Sequence, residues 1–266
     1  MLSPERLSAL DLFLLELNRA SAEVILPLFR ASHTLEDKGG PGAFDPVTSA
    51  DRGAEAEIRR LITHHFPQHG VIGEEYGEDR ADAEFVWVLD PVDGTRAFIA
   101  GLPLWTTLIG LRVQGAPVLG SIGQPFLGEI YIGHADAARL VTPGGNRPLT
   151  VRSGVALSSA IIATTDPEGC FQRDEMAAWR RLRAGSRLAR LGCDAYAYAM
   201  VAAGTLDLVV EAGLKSWDID AAIPVIVGAG GVTTDWQGEP VGSHGGQVII
   251  AGSKPLLAEA VAALKA

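Results

Sequence analysis

Apolar residues recur at helical spacing at Leu7, Leu10, Phe13, Leu14, Leu17, Ala20, Val24 and Leu28, and predict one long amphipathic helix at the start of the chain. Ser3-Pro4 supplies a cap and a first-turn proline, and Pro27 falls close to the end. The turn Lys38-Gly39-Gly40-Pro41-Gly42 and the loop Asp45-Pro46-Val47-Thr48-Ser49-Ala50-Asp51 lead into a second helix with Ile58, Leu61 and Ile62 on its apolar side. Val71-Ile72-Gly73 is a short strand-like run ending at Glu74-Glu75. Trp87-Val88-Leu89 then runs into Asp90-Pro91-Val92-Asp93-Gly94-Thr95, which reads as a strand end followed by a helix start. Strands follow over 108–113, 118–123 and 129–133, the last two as antiparallel neighbours, with a surface turn at 143–146.

After Arg152 the pattern changes. It predicts a strand over 160–165, a helix over 174–182 that is polar on one side, a buried helix over 195–203 and a strand over 206–211. A helix begins at Trp217-Asp218-Ile219-Asp220-Ala221-Ala222, Gly228 to Gly231 form a tight turn, and a strand at 248–251 precedes a final helix over 256–264. This divides the chain into two mixed α/β subdomains, residues 1–150 and 151–266.

A chain of 266 residues, 47% of them hydrophobic, builds a substantial core, which excludes a mostly disordered protein. The net charge of −10 argues against nucleic acid or an anionic membrane as a partner. It also means that a phosphorylated substrate needs a local positive centre, which a bound metal supplies. Two cysteines, Cys170 and Cys193, are too few for a disulfide scaffold. No apolar run is long enough for a membrane span and no signal-like block opens the chain, so a soluble cytoplasmic protein is expected. His64, His65 and His69 match no ligand motif and are read as a solvated helix terminus.

Acids recur at element ends: Glu74, Asp90, Asp93, Asp218 and, less directly, Asp51. Carboxylates arriving from separate loops are suitable ligands for magnesium, which prefers hard oxygen donors and retains waters. Glu74, Asp90 and Asp93 are the leading ligands, the Val92 carbonyl joins them, and Asp218 completes a second metal position. Gly94 and Thr95 can turn backbone N–H groups toward phosphate, with the Thr95 hydroxyl set to hold the attacking water and Asp51 to hold that hydroxyl. Two simpler readings stand beside these: a polar turn at Asp90–Thr95, and a helix cap at Asp51. No nucleophile elbow, Walker loop or dinucleotide fingerprint is present.

Asp90-Pro91-Val92-Asp93-Gly94-Thr95, joined to Trp217-Asp218-Ile219-Asp220-Ala221-Ala222, Glu74-Glu75 and the 45–51 segment, resembles the inositol monophosphatase family over nearly the full length. The resemblance implies an α/β (α+β) layered αβαβα sandwich, like that of fructose-1,6-bisphosphatase, in a homodimer. It implies two or three Mg2+ ions held by Glu74, Asp90, Val92, Asp93 and Asp218. Phosphate would lie on Asp93, Gly94 and Thr95, with Glu74, Thr95 and Asp51 in catalytic roles and Lys38 in the adjoining loop. Within the family, the 101–109 and 192–198 segments look most like bacterial histidinol-phosphate phosphatases. Asp194, Glu211 and Arg190 match substrate-facing positions there, which points to a small phosphorylated amino alcohol, L-histidinol phosphate, in histidine biosynthesis. An inositol or broader phosphomonoester substrate is the alternative, and a regulatory or RNA-associated role a more distant one.

Overall fold

The computed structural model describes residues 2–31, 35–37 and 46–266. Helix α1 (Pro4–Ile25) starts where the Ser3 hydroxyl accepts the Arg6 N–H, and it stops just before Pro27, which cannot continue a helix. Strands β1 (Leu35–Asp37) and β2 (Pro46–Thr48) pair antiparallel and lead into α2 (Ser49–His65). The turn expected at 38–42, with Lys38, lies outside the described residues.

The first sheet contains β3 (Gly70–Gly73), β4 (Gly77–Asp79) and β5 (Phe85–Asp93), and then, after the short helix α3 (Thr95–Ile99), β6 (Thr106–Val113), β7 (Ala116–Gln124), β8 (Glu129–His134), β9 (Ala137–Thr142) and β10 (Gly145–Pro148). Their spatial order is β10-β9-β8-β7-β6-β5-β3-β4, antiparallel throughout except for the parallel pair β3–β5. The second sheet contains β11 (Ile161–Thr164), β12 (Leu188–Leu191), β13 (Leu208–Leu214), β14 (Val232–Thr234) and β15 (Gly246–Ala251), in the order β12-β11-β13-β15-β14. Around it run α4 (Pro167–Cys170), α5 (Arg173–Gly185), α6 (Tyr196–Ala202), α7 (Ser216–Ile219), α8 (Ala222–Gly228) and α9 (Lys254–Lys265). The single helix expected after Trp217 is therefore two, broken at Asp220-Ala221. The surface turn at 143–146 already contains the start of β10, whose exposed residues carry no apolar alternation.

The layers follow from strand periodicity. Phe85, Trp87 and Leu89 face α1 and α2, while Val86 and Val88 face the other way, toward Trp217. Leu208 and Val210 on β13 and Ile249 on β15 face α5 and α9, and Val209, Val248 and Ile250 face inward. Between the sheets, α6 and α8 share one core with Leu108, Ile122 and Tyr131 of the first sheet. The order is helix, sheet, helix, sheet, helix. Among the described residues, no helix is long and apolar enough to cross a membrane.

A lane of glycines sets the contact between the middle layer and the first sheet. Gly110, Gly120 and Gly133 are direct cross-strand partners on β6, β7 and β8. A Cβ at Gly110 would come within 3.1 Å of the Ala221 nitrogen, one at Gly120 would overlap the Ala221 carbonyl, and one at Gly133 would reach the Pro224 carbonyl oxygen at 2.6 Å. Main chain thus lies directly on main chain, and Arg112 of β6 pairs with the buried Asp220 beside it.

His69 differs from the expected solvated terminus. It is buried, stacked on Phe66 (4.6 Å) and Phe85 (4.8 Å), and its Nδ1 accepts the Trp87 indole N–H at 3.1 Å. Burial, reinforced by the nearby Arg6 cation, lowers its pKa to about 4.

Two outcomes follow. Gly120→Ala should destabilise the fold by about 3 kcal/mol, the upper end for overpacking, whereas Gly144→Ala, whose added Cβ meets nothing closer than 3.6 Å, should change little; urea unfolding reads both. Because His69 is neutral when folded and protonates near 6.5 when unfolded, stability should be full above that pH and fall between pH 6.5 and about 4. This component, at most about 3 kcal/mol, should disappear from the pH profile of His69→Gln.

Candidate active site

The parallel pairing of β3 with β5 delivers the first two acids to one edge. Gly73 is opposite Leu89, and the Glu74 N–H continues the ladder to the Leu89 carbonyl at 3.2 Å, so Glu74 and Asp90 emerge side by side. A buried carboxylate that sequence reading missed fixes this turn: Glu55 of α2 accepts the Glu75 N–H at 2.8 Å and the Tyr76 N–H at 3.2 Å, and also binds Arg59 at 2.7 Å. Its signal was an acid one turn after Asp51 on the face of α2 that carries Ile58.

Asp93 needs a further device. In an unbroken strand, residues three apart point to opposite faces. Here Asp90 pairs with Leu108 but Asp93 with Thr106, so β5 holds one residue more than β6 between the two pairs. The bulge sends Val92 into the cluster around Ile25, Ala50 and Trp105, and turns both acids to the pocket. Pro91 lacks an N–H to give the ladder, and its carbonyl accepts the Thr107 hydroxyl at 2.8 Å.

Gly94 follows with φ +82°, and a Cβ there would come within 3.0 Å of the Asp194 carboxylate. Thr95 opens α3, its hydroxyl 3.4 Å from Asp51 Oδ1 and 3.2 Å from the Val92 carbonyl. Asp51 is at once the capping-box acid of α2 and this neighbour of Thr95. From the second half, α7 brings Asp218, which accepts the Lys215 N–H at 2.7 Å. Asp93 accepts the Ala195 N–H at 2.7 Å and the Thr106 hydroxyl at 3.1 Å. Asp194 is itself held at φ +46°, a left-handed conformation that Asp tolerates better than most residues.

Glu74, Asp90, Val92, Asp93, Gly94, Thr95, Asp194 and Asp218 line one open pocket of about 280 Å3. Three predicted residues are not on that lining. Asp51 is buried behind Thr95. Glu211 is buried behind Thr165, whose N–H and hydroxyl donate to it at 2.8 and 2.9 Å. Arg190 is exposed on β12 opposite Ala163. Tyr198, whose large surface suggests a pocket or core residue, lines the pocket as well, and Arg96, Thr165, Cys170 and Leu214 do so without having been singled out for it.

The electrostatics are those of acids gathered close together, with Arg96 on the same lining. Desolvation, then Glu74, Asp93, Asp218 and Asp51, raise the Asp90 pKa well above its ordinary value. Desolvation and then Asp194 do the same to Asp93. Burial raises Asp218 and Asp194 to about 6, Arg96 partly offsetting the latter, and raises Glu211 to about 8.

The matches to known proteins fit this geometry. A profile described as the inositol monophosphatase family covers residues 6–266. The chain belongs to the inositol monophosphatase family. It is 43% identical over 224 residues to the Arabidopsis thaliana "Bifunctional phosphatase IMPL2, chloroplastic", a match covering 83% of this chain but 62% of that protein. It is 35% identical to the Chlorobaculum parvum histidinol-phosphatase, covering 73% of each. Among solved structures, an inositol monophosphatase from Zymomonas mobilis superposes with a TM-score of 0.83 at 38% identity, covering 95% of this chain and 96% of that one.

Enzymes of the inositol monophosphatase family are generally Mg2+-dependent. Among the described residues, no three His, Cys, Asp or Glu side chains are already closed into a metal cage. The pocket instead offers separated hard oxygen donors at an open wall, with raised pKa values that a cation would reverse. That donor chemistry fits an ion that keeps several of its waters.

Asp93→Asn should lower phosphatase turnover at least about 100-fold. The amide oxygen can still accept from Thr106 and Ala195 while one repelling charge is gone, so the thermal midpoint without metal should be unchanged or higher. Turnover assays and a melting curve check the two halves of this expectation.

Proposed function

We propose that this chain is a magnesium-dependent phosphomonoester hydrolase that converts L-histidinol phosphate to L-histidinol and phosphate in histidine biosynthesis, acting as a homodimer. The observation that carries the substrate assignment is Asp194. Its carboxylate packs against Gly94, beside the phosphate-binding turn, where an ammonium one carbon from the ester would meet it. A polyol phosphate offers no cation to this acid, and its hydroxyls would have to satisfy it alone.

Glu74, Asp90, Asp93, Asp218 and the Val92 carbonyl are the residues that would hold magnesium, which when bound supplies positive charge to the phosphoryl group and lowers the pKa of water. The first N–H groups of α3, which have no acceptor within the helix, receive phosphate oxygens at Gly94 and Thr95. The Thr95 hydroxyl, directed by Asp51 and the Val92 carbonyl, orients the attacking water in line with the ester bond. Glu74 accepts the proton that this water gives up. The P–O ester bond breaks, and the departing oxygen takes a proton from solvent to become the alcohol.

Substrate preference within the inositol monophosphatase family is what the assay must decide, because the similar Zymomonas mobilis protein is called an inositol monophosphatase. Purified protein should show its highest kcat/KM on L-histidinol phosphate among that compound, inositol phosphates, sugar phosphates and 3'-phosphoadenosine 5'-phosphate. Activity should vanish with EDTA and return with Mg2+. Asp194→Asn, which tolerates the left-handed backbone, should raise KM for L-histidinol phosphate while leaving glycerol phosphate nearly unchanged. A clear preference for an inositol phosphate would overturn the substrate assignment.

A further inference from the structure

Beside the reaction pocket lies a larger open cavity, about 530 Å3 against about 280 Å3. Small-molecule sites commonly span about 300–1,000 Å3, so the reaction pocket falls just below that range before a phosphate and its counter-ions are placed. Thr165 lines both spaces. Asp166 lines the second and binds Arg96 of the first at 3.0 Å, so the two are contiguous across this pair.

The second cavity is built differently from the first. Met176 and Trp179 of α5 and Leu191 of β12 give it apolar surface, and the exposed Glu168 and Arg180 give it charges of both signs. The Thr165 wall between the spaces is held firmly: its N–H and hydroxyl bind the buried Glu211, and its carbonyl accepts the Gly192 N–H at 2.9 Å.

We propose that this second cavity receives the end of the substrate remote from the phosphate, and selects a flat nitrogen-bearing ring over a polyol. The proposal rests on the reading of the reaction pocket as a phosphomonoesterase site for an amino alcohol. A planar ring covers its faces against the thioether and the aliphatic wall, and uses its edge nitrogens on the carboxylates or the guanidinium. A polyol placed there would leave hydroxyls against Met176 and Leu191 without partners, at a cost in desolvation. Glu211 then acts as a positioning residue, holding the Thr165 wall from behind rather than touching substrate.

The test compares L-histidinol phosphate with O-phosphoethanolamine, an amino-alcohol phosphate that has no ring, in the magnesium-loaded enzyme. Met176→Trp fills the cavity, and Glu168→Lys reverses a charge at its exposed edge. In Met176→Trp the ratio of kcat/KM for the ringed over the ringless substrate should fall about tenfold, through KM, with the ringless substrate within about twofold of wild type. Glu168→Lys should lower the same ratio less, and because that side chain is exposed it decides the matter alone if Met176→Trp fails to fold. An unchanged ratio in the folded variants overturns the inference even if L-histidinol phosphate is the preferred substrate. A wild-type preference for inositol phosphates would instead overturn the functional reading, a result visible before any variant is made.

Discussion

The structure depends on main chain touching main chain where the Asp220–Val225 segment crosses β6, β7 and β8. Gly110, Gly120 and Gly133 form a shallow trough one residue wide across three strands, and the Ala221 and Pro224 carbonyls lie in it. Side chains there would lift the middle helical layer away from the sheet by more than a methyl group. Asp218 is two residues upstream of that contact, so its approach to the carboxyl edge of β5 is set by glycine packing and by the Arg112–Asp220 ion pair. The acids of the pocket come from both halves of the chain, and this trough fixes how the halves meet.

Stability and chemistry pull against each other at the same edge. Asp90 and Asp93 are buried, close to further acids, and shifted toward their neutral forms by desolvation and mutual repulsion. The fold tolerates them because their oxygens are supplied with donors: the Ala195 N–H and Thr106 hydroxyl for Asp93, and the Val92 N–H for Asp90 at 3.2 Å. Glu55 does similar work one layer away, holding the turn after β3 so that Glu74 faces forward. The resulting wall gathers several carboxylates in low-dielectric surroundings with their hydrogen-bond donors in place.

Much of this was legible in the sequence wherever burial writes a period into the chain. The apolar faces of α1, α2 and α9 belong to that category, and the unbroken apolar runs of β5 and β13 and the acids at element ends were legible beside them. What stayed hidden has one of two physical causes. Strands β4, β10 and β12 are largely exposed edges, and β14 only half-buried, so ladder hydrogen bonds hold them with little hydrophobic signal. His69 and Glu55 owe their roles to neighbours well separated in sequence: Phe85 and Trp87 in one case, two backbone N–H groups in the other. The break between α7 and α8 falls where Pro224 has no N–H to give the Asp220 carbonyl. Arg190 and Glu211 are named from the resemblance alone, and they stand off the pocket lining, one on an exposed edge strand and the other covered by Thr165.

The bulge at Pro91-Val92 carries an arithmetic consequence. Every other position in β5 obeys an even-and-odd rule, with odd numbers toward the outer helices and even numbers toward the centre. One surplus residue resets the count, which lets 90 and 93 share a side although their difference is odd. Shortening the strand by a single residue would mend the ladder and, at a spacing of two, still leave both carboxylates on one side; what it would remove is the extra peptide of Val92, whose side chain fills the cluster with Trp105 and whose carbonyl accepts the Thr95 hydroxyl. The defect in pairing thus sets a main-chain oxygen between two acids of one wall, a group that a regular strand would have committed to its ladder.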